Sequence, residues 1–236
     1  MTEAQQKAAS LFKGTFIVSP EEVVQKLNTV KAFVFDWDGV FNNGQKDDNG
    51  SSHFNEVDAM GTNLLRFNHY LRNGQPPIAA IITGERNRAS LTFANREHLD
   101  AVYCGIKYKA DALKHLCEAY SIKPEEVAFM FDDVLDFSAA ELCGLRIMVN
   151  RDCNPLLVDY AHRHGLVDYL TYNSGATHAI REVVELLTGI SGHYEETITE
   201  RSHYTDTYKQ YLEARNKPNV KLYTVSQDII TEIKSL

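Results

Sequence analysis

Two aspartates, Asp36 and Asp38, stand one residue apart directly after the apolar start of "FVFDWDGVFNNG" at residues 33–44. Carboxylates repel one another and lose hydration when gathered, so such a pair is tolerated where a cation or a reacting group sits between them. In an extended segment residues i and i+2 face one side, so Asp36 and Asp38 can address one ligand while Trp37 turns away. Further along, Thr83-Gly84 closes "IAAIIT", Lys109 follows "AVYCG", and Asp132-Asp133 closes "VAFMFDD" with Asp136 just behind. Taken singly each is ordinary. Asp-Gly and Thr-Gly are usually turns, a lysine in "GIKYKADALKHL" is usually a solvated helix residue, and Asp132-Asp133 suits a helix cap near Asp136. Taken together, acids, a hydroxyl and a lysine that converge on one rim are what phosphoryl transfer to a carboxylate requires.

On that reading Asp36 is the nucleophile that accepts the phosphoryl group, dividing one difficult hydrolysis into two easier steps. Asp38 acts first as general acid on the leaving alkoxide and then as base on the attacking water. An anionic nucleophile meets a phosphate dianion only if the charge is neutralised, and hard oxygen ligands select Mg2+ for that. Asp36, Asp132 and the main-chain carbonyl of Asp38 are the expected metal ligands. Lys109, the Thr83 hydroxyl and the main-chain N–H groups around Gly84 and Gly39 are expected to hold the phosphoryl oxygens. Gly39 also lets the chain turn away from the site. Asp133 and Asp136 are expected to orient the metal ligands and Lys109.

These residues need elements to bring them together. Short, nearly continuous apolar runs at 31–36, 78–83, 101–105, 127–133 and 145–150 alternate with helical segments. Such runs predict a parallel sheet covered on both faces, a doubly wound α/β fold in which ligands bind beyond the carboxyl ends of the strands. Residues 1–29 read as a helical lead-in, with Ser19-Pro20-Glu21-Glu22 opening a helix. The core spans 30–190. Between Val40 and Val57 the Asn43-Gly44 and Asn49-Gly50 pairs predict a β-hairpin flap at about 40–57. Residues 191–236 are polar, tyrosine-rich and too short for their own core, which predicts an appendage docked on its own subunit or on a neighbour.

A chain of 236 residues with 44% apolar composition supports one substantial core. No apolar run is long enough to span a bilayer and "MTEAQQKAAS" lacks a signal peptide's hydrophobic segment, so a cytoplasmic protein is expected. The net charge of −8 argues against generic nucleic-acid affinity, and the short apolar runs against a membrane partner. The four cysteines show no CxxC spacing, which suits buried free thiols.

"FDWDGVFNNG", "IITG", "GIKYK" and "FDDVLD" resemble the four motifs of the haloacid dehalogenase superfamily. "HFNEVDAMGTNLL" and "VDYLTYNSGATHAIREVVELL" are similar to its small capless branch of 3-deoxy-D-manno-octulosonate 8-phosphate phosphatases. The resemblance covers roughly residues 31–189 and implies a Rossmann-like core without a large cap domain. It implies a Mg2+-dependent phosphatase acting on a small phosphorylated sugar or sugar acid. It also implies a homo-oligomer, with a tetramer favoured. The chain departs from the branch at Phe131, where glycine is common, and at Glu85, where arginine often stands. It has Ser52 in place of a frequent lysine and Gly175-Ala176 in place of a double glycine. Arg86, His178 and Arg181 are candidate donors to a substrate carboxylate.

Other readings share parts of this pattern. A receiver domain uses similar groups, but carries adjacent acids first and a lone phosphoacceptor aspartate after its third strand. A silent scaffold of the same fold stays open through Phe131 and Glu85. A phosphotransferase using the same aspartate usually carries a large inserted cap, for which no interval here is long enough.

Overall fold

Each of the five apolar runs forms a strand because its side chains find apolar cover on both faces of one sheet. The computed structural model describes residues 1–236. In chain order it runs α1 (Glu3–Ser10), β1 (Thr15–Phe16), α2 (Pro20–Thr29), β2 (Ala32–Phe35), α3 (Glu56–Asn73), β3 (Ile78–Ile82), α4 (Arg88–Glu97) and β4 (Ala101–Tyr103). Next come α5 (Lys109–Tyr120), β5 (Val127–Phe131), α6 (Phe137–Ala140), β6 (Leu145–Met148), α7 (Pro155–Arg163) and β7 (Tyr169–Leu170). The chain ends with α8 (Ala179–Ser191), α9 (Tyr194–Ser202), α10 (Asp206–Arg215), β8 (Lys221–Ser226) and β9 (Ile229–Ile233). Ser19 caps α2 by accepting from Glu22 N–H, with Pro20 in the first helical position, as its sequence signature predicts.

The nine strands form one sheet in the order β1-β7-β6-β5-β2-β3-β4-β8-β9. All pairs are parallel except β1 with β7 and β8 with β9 at the two edges. Alternate strand residues face opposite layers. Phe33, Phe35, Ile81 and Met130 pack in one layer with Leu64 and Leu65 of α3 and Val183, Val184 and Leu187 of α8. Val34, Ile82, Phe129 and Phe131 pack in the other with Leu113 and Leu116 of α5 and Ala161 of α7. No helix is long and apolar enough to cross a membrane.

Three expectations are corrected. Residues 42–55 form no hairpin strands. The Asn42 carboxamide accepts from the Gly39 and Gly44 N–H groups, and the Asp47 carboxylate accepts from Asn49 and Ser51. These side-chain bonds close separate turns, and the flanking residues lack the alternating apolar pattern that pairs strands. The C-terminal segment docks on its own subunit and is more than an appendage: β8 extends the central sheet beside β4, and β9 folds back on it. Of the four free thiols, Cys104, Cys117 and Cys143 are buried but Cys153 is exposed.

Candidate active site

The strand order turns outward in both directions from β2 and β5, and the crevice beyond their carboxyl ends is the switch point where such sheets bind ligands. β2 delivers Asp36 there, its N–H donating to Met130 O at 2.9 Å, and the neighbouring β5 delivers Asp132. Lys109 opens α5 from the other flank, and the Val134–Asp136 turn brings Asp136 inward. Asp36, Lys109, Asp132 and Asp136 are all buried. The Lys109 ammonium pairs with both Asp36 and Asp136. The second oxygen of Asp136 accepts from the N–H groups of Asp132 and Asp133 at 3.4 and 3.1 Å.

Burial dominates the electrostatics. It pushes the Asp36 carboxyl up to about 7, against the opposing pull of Lys109 and with the repulsion of Asp136. It raises Asp132 to about 9, aided by the charges of Asp36 and Asp136 and opposed by Arg151. Burial works to lower Lys109, but Asp36 and Asp136 outweigh it and hold the ammonium charged.

The carboxylate oxygens of Asp36, Asp132 and Asp136 lie within 4.8 Å of one another. Asp132 Oδ2 is buried with no hydrogen-bond partner. Arg151 Nε stands 2.5 Å from it as an ion-pair contact without hydrogen-bond alignment. Three buried carboxylates facing two side-chain cations are short of positive charge, and an all-oxygen donor set suits a hard divalent cation. The residues present therefore fit Mg2+.

Asp36 and Asp38 line the same cleft while Trp37 is fully buried on the other side, stacked on Phe41 at 5.0 Å, as the i, i+2 spacing predicts. The Asp38 carboxylate accepts from Ser52 Oγ, from Lys46 Nζ at 2.5 Å and from Asn87 Nδ2 at 3.4 Å. Trp37 Nε1 donates to Ser52 O at 3.1 Å and so ties the irregular loop to the first motif. Gly39 has φ +88°, and a Cβ there would lie 2.2 Å from Asp132 Oδ2. Thr83 is buried, its Oγ1 accepting from Glu85 N–H at 3.3 Å, and Gly84 follows it along the wall. The whole cleft has a volume of about 590 Å³.

Other expected residues lie elsewhere or act differently. The Asp133 side chain accepts the Val134 N–H at 2.7 Å and caps the turn that carries Asp136, and it is the Asp136 carboxylate that pairs with Lys109. His178, Arg181 and Arg86 do not line the cleft. The buried Asp58 carboxylate accepts the Arg181 main-chain N–H at 2.9 Å and lies 3.4 Å from His178 Nδ1. The Arg181 guanidinium pairs with Glu185, and Arg86 is exposed beside Gly105. Phe131 stacks on Phe129 in the core, away from the cleft, whereas Glu85 lines its rim.

Lys46, Lys107, Asn87 and Arg151 are site residues that sequence reasoning did not single out. Arg151 could have been found, because it follows the fifth apolar run and stands at a strand end like the others. Lys107 likewise follows the third apolar run, whereas Lys46 and Asn87 carry no local signal.

No family model matches the chain. The 3-deoxy-D-manno-octulosonate 8-phosphate phosphatase of Salmonella typhimurium is 31% identical over 183 residues, 76% of this chain and 89% of its own length. That of Escherichia coli K12 is 30% identical over 179 residues, 74% of this chain and 88% of its own. The crystal structure of the Moraxella catarrhalis phosphatase of the same name, in complex with magnesium ion, phosphate ion and KDO, matches with a TM-score of 0.64 at 26% identity. That match covers 77% of this chain and 98% of the other.

Proposed function

The chain belongs to the haloacid dehalogenase superfamily of phosphatases, and from that premise we propose that it is a Mg2+-dependent phosphomonoesterase that hydrolyses a small phosphorylated sugar or sugar acid through an aspartyl-phosphate intermediate. The observation that carries the reading is the buried Asp36–Lys109–Asp136 ion-pair chain beside Asp132 at the switch point of the sheet.

The carboxylates of Asp36 and Asp132, with the main-chain carbonyl of Asp38, would hold the cation, which neutralises charge between nucleophile and phosphoryl oxygens. An Asp36 oxygen attacks phosphorus, the bond from phosphorus to the sugar oxygen breaks, and Asp38 gives that oxygen a proton. In the second half Asp38 takes a proton from water as the water attacks the phosphorus of the aspartyl phosphate. Inorganic phosphate leaves and the Asp36 carboxylate is restored. Lys109, the Thr83 hydroxyl and main-chain N–H groups around Gly84 and Gly39 carry the phosphoryl oxygens throughout, the Gly39 N–H itself being held by Asn42 Oδ1. Lys46, Lys107 and Arg151 on the open wall favour a substrate with negative charge.

The open cleft and the family resemblance support a homo-oligomer, with a tetramer favoured, in which a neighbouring copy helps close each site; sedimentation of an active monomer alone would reject this. Three buried unpaired thiols support the cytoplasm as its compartment.

The test is phosphate release from a panel of phosphorylated sugars and sugar acids, with magnesium and after chelation. Turnover should require magnesium and vanish in Asp36→Asn. Undiminished hydrolysis under chelation, or by the variant, would overturn the reading.

A further inference from the structure

Arg151 stands three residues beyond the end of β6, on a wall shared by two depressions. One is the cleft with Asp36, Lys109 and Asp132; the other is lined by Gly39, Asn42, Asn43, Ser174 and Gly175. Its side chain is 28% exposed against 1% for its partner Asp132. It makes no side-chain hydrogen bond, so only the ion pair holds it over the site. Lys109 differs in being fixed between two buried carboxylates. Gly39 is what admits the guanidinium, since a Cβ there would meet Arg151 Nη2 at 1.8 Å. The arginine therefore covers the one buried carboxylate oxygen that has no hydrogen bond, and its long, partly exposed side chain is held there by the ion pair alone.

A guanidinium and a divalent cation cannot share that oxygen without strong repulsion in a site of low polarity. Resting on the metal-dependent reading above, we propose that Arg151 is a displaceable counter-ion that couples metal loading to anion binding. Without the cation it neutralises Asp132. With the cation bound, it is released from Asp132 and its planar fork of donors turns to the phosphoryl group of the substrate. Two consequences follow by linkage: metal binding strengthens phosphate binding, and phosphate strengthens metal binding by the same factor.

The experiment is calorimetric titration of Mg2+ into the full-length protein, with and without saturating inorganic phosphate, for the wild type, Arg151→Gln and Arg151→Lys. Thermal unfolding is followed in parallel to establish that the variants fold. In the wild type, phosphate should tighten magnesium binding by about fivefold or more, the low end of ordinary coupling between sites. Arg151→Gln should bind magnesium more tightly than the wild type when phosphate is absent, because the competitor is gone, and should lose most of the enhancement by phosphate. Arg151→Lys keeps the charge without the fork and should fall between them. Magnesium binding that Arg151→Gln leaves unchanged or weakens would overturn the proposal while leaving the metal-dependent reading intact. A wild type that binds no magnesium would overturn both.

Discussion

Lys109 and Asp136 form a buried ion pair at the carboxyl end of the sheet, and the same ammonium also pairs with Asp36. Asp136 is itself held by two main-chain N–H groups, so it fixes the lysine beside Asp36. Asp136→Asn keeps the shape and removes the charge. It should lower kcat/KM on the order of a hundredfold, the scale of a misplaced reacting group, while circular dichroism shows an unchanged fold. Wild-type turnover in this variant would mean that Lys109 is positioned without it.

Asp36 illustrates a conflict between stability and activity. Its carboxyl is raised to about 7, so keeping it ionised at neutral pH works against the fold. Asp36→Asn should therefore lose turnover by a factor on the order of 10⁴ or more with a Tm equal to or above that of the wild type. A clearly lower Tm would show that the Lys109 pair outweighs the burial.

Metal binding should be visible without catalysis. A ligand bound only by the folded state at a hundredfold excess over its Kd stabilises by about 2.7 kcal/mol, so magnesium should raise Tm. Asp132→Asn should abolish that rise, since Asp132 supplies a buried oxygen without a hydrogen bond. An unchanged magnesium response in the variant would remove Asp132 from the ligand set.

The C-terminal segment is anchored through Asn63 of α3. Its amide donates to Tyr208 Oη at 2.7 Å, and its carbonyl oxygen accepts from Tyr211 Oη at 3.1 Å and Arg215 Nη1 at 2.8 Å. Asn63→Ala strands several buried polar groups and should cost about 2–3 kcal/mol by urea unfolding. Truncation after residue 190 also bares the edge of β4, and light scattering should detect aggregation.

His69 is buried, with Nδ1 3.2 Å from Gln75 O and Nε2 3.1 Å from Val30 O. Burial lowers its pKa and the nearby Arg72 acts the same way, against the two carbonyls. The unfolded state then takes up a proton before the folded state does. Stability is lost as pH falls from about 6.5 through the lower folded value, with the sign set by proton linkage. His69→Gln should flatten that acid-side slope relative to the wild type in denaturant titrations at several pH values. Parallel slopes would show that His69 does not titrate differently on folding.

The amino-acid sequence by itself determined the central parallel sheet and which chemical groups stand at its rim. Continuous apolar runs are stable only when covered on both faces, and in such a fold the residue after each run emerges at one common edge. Asp36, Thr83, Lys109 and Asp132 were legible for that reason. Tertiary structure alone decided that Asp136 and not Asp133 pairs with Lys109, that Lys46 and Asn87 reach Asp38, and that Asp58 and Glu185 hold His178 and Arg181 away from the cleft. It also decided that the polar "KLYTVS" joins β4, where Cys104 N–H donates to Tyr223 O at 2.9 Å. Those outcomes depend on partners distant in the chain. Their hydrogen bonds and charges leave no periodic trace in the local sequence, so only the folded arrangement selects among them.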